Sequence, residues 1–222
     1  LDFDGTLVPL VDHPRDTTVS APLRHLIATL DRELDGAVAI VSGRPVAELE
    51  RLLAPLTLPL AGVHGLEWRD AKGAYHSAIE RPERLAACRD ALATFVAEHT
   101  GLHYEDKRVS LALHYRGAPD RAEACRRFMD EWRDTLGETF ETIAGKYVIE
   151  LRPAGVHKGT AVERLLDDPV FRGRRPVFVG DDVTDEDAFR EVNARDGLSV
   201  RVGGGSETVA TYYLESVQEV LT

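Results

Sequence analysis

Pro176-Val-Phe-Val-Gly-Asp-Asp-Val-Thr-Asp-Glu-Asp-Ala-Phe189 begins as an apolar run and turns abruptly into a cluster of acids. A short continuous apolar run reads as a strand buried on both faces, the habit of a parallel sheet. Two other runs end the same way. Ala37-Val-Ala-Ile-Val41 stops at Ser42-Gly43-Arg44, and Leu1-Asp-Phe-Asp-Gly5 reads as the tail of a strand that starts before Leu1. A further core strand is read over 58–63.

Helical patterns lie between these runs. Val19, Leu23, Leu26, Ile27, Leu30 and Leu34 form a stripe of helical period. Pro45 suits the first turn of a helix carrying Val46, Leu49, Leu52 and Leu53. Thr184 with Asp187 reads as a capping box. Strands alternating with helices predict an α/β doubly wound parallel sheet, Rossmann-like in kind. Residues 77–152 break the rhythm. Stripes at Leu85, Cys88, Leu92, Phe95 and at Ala122, Cys125, Phe128, Met129, Trp132 are each followed by two alternating segments. The organisation expected is a catalytic core over 1–76 and 153–222, with 77–152 inserted as an α+β cap domain.

Composition bounds the partners. The 222 residues carry a net charge of −11, which argues against nucleic acid and against an anionic membrane surface. An anionic substrate stays open, because a metal and a few local cations can reverse the field inside a cleft. The two cysteines form no CxxC pair, so neither a disulfide scaffold nor a zinc site is indicated, and both fall on apolar helical stripes. No apolar stretch reaches the roughly 18 residues of a membrane span, and no secretory signal is visible. A cytoplasmic, monomeric protein is expected.

In open parallel α/β sheets the ligand crevice lies beyond the carboxyl ends of the strands. Asp2 and Asp4, Ser42, and Asp181 with Asp182 all fall at such ends. Carboxylates without His or Cys suit a hard, oxygen-seeking cation, and Mg²⁺ fits best where a phosphate completes its shell. The Gly5-Thr6 turn can offer backbone N–H groups to an anion, and Lys158 opens a helix that can bring a positive charge to the crevice. No GxxxxGK[ST] loop, GxGxxG fingerprint or GxSxG elbow occurs.

Asp2-Phe-Asp-Gly-Thr-Leu7, Ser42, Lys158 and Gly180-Asp-Asp-Val-Thr-Asp185 resemble, in order, the four motifs of the haloacid dehalogenase superfamily. The insertion between the second and third motifs resembles that superfamily's larger α/β cap. A narrower likeness rests on Ser42-Gly43-Arg44, Gly62-Val-His-Gly-Leu-Glu67, Leu113-His-Tyr-Arg116, Glu150-Leu-Arg-Pro153 and Gly180–Phe189. These strings are similar to those of trehalose-6-phosphate phosphatases.

The resemblance implies a mechanism. Asp2 is the nucleophile that forms an aspartyl-phosphate, and Asp4 the general acid and then base. Mg²⁺ is held by Asp2, the Asp4 backbone carbonyl and Asp181. Ser42 and Lys158 hold the phosphoryl oxygens, while Asp182 and Asp185 orient metal waters and Lys158. The substrate implied is trehalose 6-phosphate. Another sugar phosphate, such as a sucrose or mannosyl phosphate, is the alternative within the superfamily. A non-catalytic sugar-phosphate sensor is the alternative outside it.

Residues that bind substrate are expected among Arg44, His64, Glu67, Lys107, His114, Arg116, Lys146 and Glu150. On the inserted strands Lys146, Val148, Glu150 and Arg152 share one face and Ser110, Ala112, His114 and Arg116 another. By pattern alone these are the solvated side of an ordinary sheet; by resemblance they roof the reaction centre. Arg44 either binds phosphate or pairs with an acidic neighbour, and His64 is either a packed, hydrogen-bonded histidine or a ligand contact.

Overall fold

The computed structural model describes residues 1–11, 14–78, 82–145, 147–204 and 207–222. In chain order the elements begin with α1 (Ala21–Glu33), β1 (Ile40–Val41), α2 (Val46–Leu53), β2 (Leu60–Gly62), β3 (Glu67–Arg69) and β4 (Tyr75–Ser77). Next come α3 (Ala86–Ala97), β5 (His103–Asp106), β6 (Leu111–His114), α4 (Ala122–Leu136), β7 (Phe140–Gly145) and β8 (Val148–Pro153). The chain then returns through α5 (Lys158–Leu166), β9 (Val177–Gly180), α6 (Glu186–Asn193), β10 (Leu198–Val202) and β11 (Tyr212–Leu214). It divides into two compact units, Leu1–Ala78 with Val156–Thr222, and Ile79–Gly155. Among the described residues no helix is long and apolar enough to cross a membrane.

The first unit holds two hydrogen-bonded sheets, β1-β2-β3-β4 and β11-β10-β9, with β1–β2, β9–β10 and β10–β11 parallel. The chain start joins them. Asp2 N–H donates to Val179 O at 2.9 Å, while Leu1 O accepts from Val41 N–H at 2.9 Å. Leu1 N donates to Ala39 O at 2.9 Å. The first run of the sequence therefore lies between β1 and β9, and its acids emerge at the carboxyl ends of both.

Phe3, Ile40, Leu49, Leu53 and Leu60 pack one core of this unit, Phe178, Ala188, Phe189 and Val192 another. The helix after β9 starts differently from the sequence expectation. The reciprocal capping box joins Asp182 and Asp185, not Thr184 and Asp187. Asp182 is the last extended residue (φ −112°, ψ 168°), so the side chain three positions on is the one that reaches its N–H.

The second unit is a four-stranded antiparallel sheet, order β5-β6-β8-β7, with α3 and α4 packed on it. The helix–strand–strand pattern thus occurs twice. Leu111, Leu113, Ile149 and Leu151 point into the core with Leu92 and Met129, and their alternates carry the polar face. Cys88 and Cys125 lie in that core; burial pushes the Cys88 thiol up to about 12, which fits packing and not nucleophilic chemistry.

Candidate active site

Lys158 is the first residue of α5, and His157 caps that helix through a reciprocal box with Thr160. The fixed start aims the lysine inward. Its Nζ donates to Asp2 Oδ1 at 2.7 Å and to Asp185 Oδ1 at 2.7 Å. Asp185 is in turn held by the backbone N–H groups of Asp181 (3.1 Å) and Asp182 (3.0 Å), which accounts for both of its oxygens. Asp181 Oδ1 accepts from the buried Thr6 hydroxyl at 3.3 Å. Gly5 permits this closeness, since a Cβ there would fall 2.1 Å from Asp181 Oδ2.

Three carboxylates therefore face one ammonium inside a buried corner. Burial raises the pKa of Asp2, against the pull of Lys158. Burial likewise raises Asp185, with Asp2 adding to it, and raises Asp181, with Asp185 adding to it. Burial pulls the Lys158 ammonium down, but Asp2 and Asp185 outweigh it and the net direction is up. The corner is short of positive charge.

A divalent cation fits that deficit. Asp2, Asp181 and Asp185 each offer an oxygen, and these lie within 4.8 Å of one another. Asp2 Oδ2 is buried and has no hydrogen-bond partner among the described residues, a costly state for a carboxylate oxygen unless a cation or reacting atom meets it. The all-oxygen donor set is that of a hard ion.

Asp4 stands apart from this side-chain set. Both its oxygens accept from Arg44, Nε to Oδ2 and Nη2 to Oδ1, each at 2.7 Å. Of the two readings of Arg44, the acidic pairing is the one seen. Ser42 is buried at the end of β1, and its Oγ accepts from Arg44 N–H at 3.1 Å.

Glu67 departs from the expectation of a sugar contact. It is 3% exposed, its Oε1 accepts from Val46 N–H at 2.6 Å, and its Oε2 accepts from the Tyr75 hydroxyl at 2.5 Å. It is the anion at the start of α2, placed there because β3 runs back beside β2. His64 sits in a left-handed stretch with Val63 (φ 47°) and Gly65 (φ 103°), and φ values of this kind for two non-glycine residues are strained. Val63 N–H to Arg44 O (3.0 Å), His64 N–H to Ser42 O (2.9 Å) and Arg164 Nη1 to Gly65 O (2.8 Å) hold the loop. The imidazole lies against Gly43, where a Cβ would approach it to 2.9 Å.

In the second unit Lys107 Nζ lies 3.5 Å from Glu150 Oε2, and Ser110 Oγ donates to Glu150 Oε1 at 2.6 Å. His114 Nε2 lies 3.6 Å from Glu105 Oε2, and Glu105 is held below its ordinary value by His114. The Arg116 guanidinium lies over the Tyr147 ring, 5.9 Å from its centroid. Lys146 lies outside the described residues.

Sequence reasoning missed Thr17, Glu48 and Glu105, and it named Thr6 only for its turn and Ser110 only as part of a strand face. Glu48 was legible as an acid in the first turn of α2, four residues after Arg44, and so was Glu105 on β5, two residues before Lys107. Thr17 gives no local signal, since Arg44, its partner, is 27 positions away. An apolar cavity of about 550 Å³, lined by Leu1, Leu30, Leu34, Val162, Leu165 and Phe178, lies by the starts of the strands. It contains no carboxylate and is not the reaction centre.

A family model described as trehalose-phosphatase matches residues 1–218. The probable trehalose-phosphate phosphatase of Sinorhizobium fredii is 42% identical over 205 residues, 91% of this chain and 76% of that protein. The trehalose-6-phosphate phosphatase of Escherichia coli is 38% identical over 226 residues, 99% of this chain and 82% of that protein. The crystal structure of a trehalose-6-phosphate phosphatase related protein aligns with a TM-score of 0.82 at 32% identity, covering 100% of this chain and 92% of its own. A haloacid dehalogenase-like hydrolase from B. subtilis, 15% identical with a TM-score of 0.67 over 98% of this chain and 94% of its own, shares the fold alone.

Proposed function

The chain belongs to the trehalose-phosphatase family, and from that premise we propose that it hydrolyses trehalose 6-phosphate through an aspartyl-phosphate on Asp2, with Mg²⁺ as cofactor. The observation that carries this reading is the Asp2 carboxylate. One oxygen is pinned by Lys158, and the other is buried beside Asp181 with no hydrogen-bond partner among the described residues.

Asp2 attacks phosphorus, the bond from phosphorus to the sugar oxygen breaks, and Asp4 delivers a proton to that oxygen. Water then attacks the phosphorus of the aspartyl-phosphate, Asp4 takes its proton, and the Asp2 carboxylate leaves. Lys158 and Ser42 face the phosphoryl oxygens, and Asp185 keeps Lys158 in place. Mg²⁺ held by Asp2, Asp181 and the Asp4 carbonyl supplies the charge that lets an anionic nucleophile meet a phosphate dianion. The buried free cysteines agree with a reducing compartment such as the cytoplasm.

For the sugar we propose Lys107, Glu150 and His114 as the contacts, with Arg116 and Lys146 as further candidates. The Lys107–Glu150 pair supports this, because such a pair can exchange its mutual contact for sugar hydroxyls.

Phosphate release from trehalose 6-phosphate, sucrose 6-phosphate, glucose 6-phosphate and p-nitrophenyl phosphate, with Mg²⁺ and with EDTA, tests the reading. A Mg²⁺-dependent preference for trehalose 6-phosphate is expected. Preference for another member would keep the chemistry and discard the substrate. Turnover undiminished by EDTA would remove the metal.

A further inference from the structure

Arg44 is 8% exposed at its side chain, against 29% for Asp4, so the more buried partner fixes the other. It belongs to the turn after β1, yet its guanidinium reaches the first-motif loop, the start of α2 and residue 17. Nε and Nη2 grip the two oxygens of Asp4, Nη2 also donates to Thr17 Oγ1 at 2.6 Å, and Nη1 donates to Glu48. Those contacts engage four of the five N–H donors that a guanidinium carries. Phe3, 5.8 Å below the guanidinium carbon, supports its plane.

We propose that Arg44 is a positioning residue for proton transfer, acting through Asp4 and not on the substrate phosphate. The proposal rests on the reading of Asp4 as the proton carrier. A carboxylate on a turn has several rotamers of similar energy, and a proton carrier misplaced by an ångström loses most of its effect. The two-pronged fork removes that freedom, and two carboxylates with a hydroxyl occupy donors that a phosphate would need. A lysine would keep the charge and lose the fork.

The test compares Arg44→Lys, Thr17→Val, Asp4→Asn and the two double variants carrying Asp4→Asn, each first checked for an unchanged thermal transition. With trehalose 6-phosphate, Arg44→Lys lowers kcat about 10- to 100-fold with KM within threefold. Thr17→Val, which loosens Arg44 without removing it, gives a smaller loss of the same kind. In the Asp4→Asn background neither change lowers kcat further. The first-turnover burst of p-nitrophenolate, a leaving group that needs no proton, stays within threefold in Arg44→Lys.

Losses that multiply in the double variants, or a KM raised tenfold on both substrates, would overturn the proposal and assign Arg44 to phosphate. Should Asp4→Asn alone keep turnover within threefold, the role of Asp4 itself falls, an outcome distinct from failure of the Arg44 assignment.

Discussion

Asp2 carries its charge where burial resists it, and the sign of that strain can be worked out. A carboxylate whose folded pKa lies above the unfolded value near 3.8 favours the proton-bound native state. Its unfavourable contribution is absent below that unfolded value and grows as pH rises through the folded one. Asn at position 2 removes the charge and keeps the shape, while Asp185 still pairs Lys158. Asp2→Asn is therefore expected to unfold within about 1 kcal/mol of the wild type in EDTA at pH 7. A loss of several kcal/mol by chemical denaturation would mean that the Asp2–Lys158 pair is chiefly structural.

The start of α2 shows how an element claims a residue that the motif resemblance assigns to ligand. Glu67→Ala removes the acceptor for Val46 N–H and the partner of Tyr75. A loss of about 1–3 kcal/mol in stability, with KM changed less than threefold, is expected from thermal melts and steady-state kinetics. An unchanged transition with a tenfold higher KM would return Glu67 to the sugar site. Neither its strand nor its partner was read from the sequence, because both depend on the pairing of β3 back onto β2. The same limit moved the capping box to Asp182, where the φ and ψ of one residue decided the helix start. By contrast Asp2, Ser42 and Asp181 were readable, since apolar runs ending in polar residues mark strand ends, and strand order brings those ends together; Lys158 was readable as a helix start. Arg44 was half legible: its neighbour Glu48 is local, but Asp4 and Thr17 meet it only through the fold.

At the scale of the molecule, the two units ask for separate tests. In the first, three crowded carboxylates and one lysine predict stabilisation by a divalent ion. At a hundred times its dissociation constant, Mg²⁺ is expected to add about 2.7 kcal/mol, roughly 5–10 °C at the transition. The gain should shrink toward pH 4, as protons compete for Asp2, Asp181 and Asp185. A gain equal at both pH values would place the ion elsewhere. In the second unit, Glu150→Gln breaks the pairing with Lys107 while keeping an acceptor. It is expected to raise KM for trehalose 6-phosphate about tenfold and leave p-nitrophenyl phosphate within twofold. Equal effects on both substrates would make the pair a piece of sheet architecture.

Phosphate release from trehalose 6-phosphate by Asp2→Asn, beside wild type at saturating Mg²⁺, bears most directly on the covalent route. A loss of at least about 10⁴-fold in a variant that folds like the wild type is the predicted result. Turnover within tenfold of wild type would contradict nucleophilic attack by Asp2.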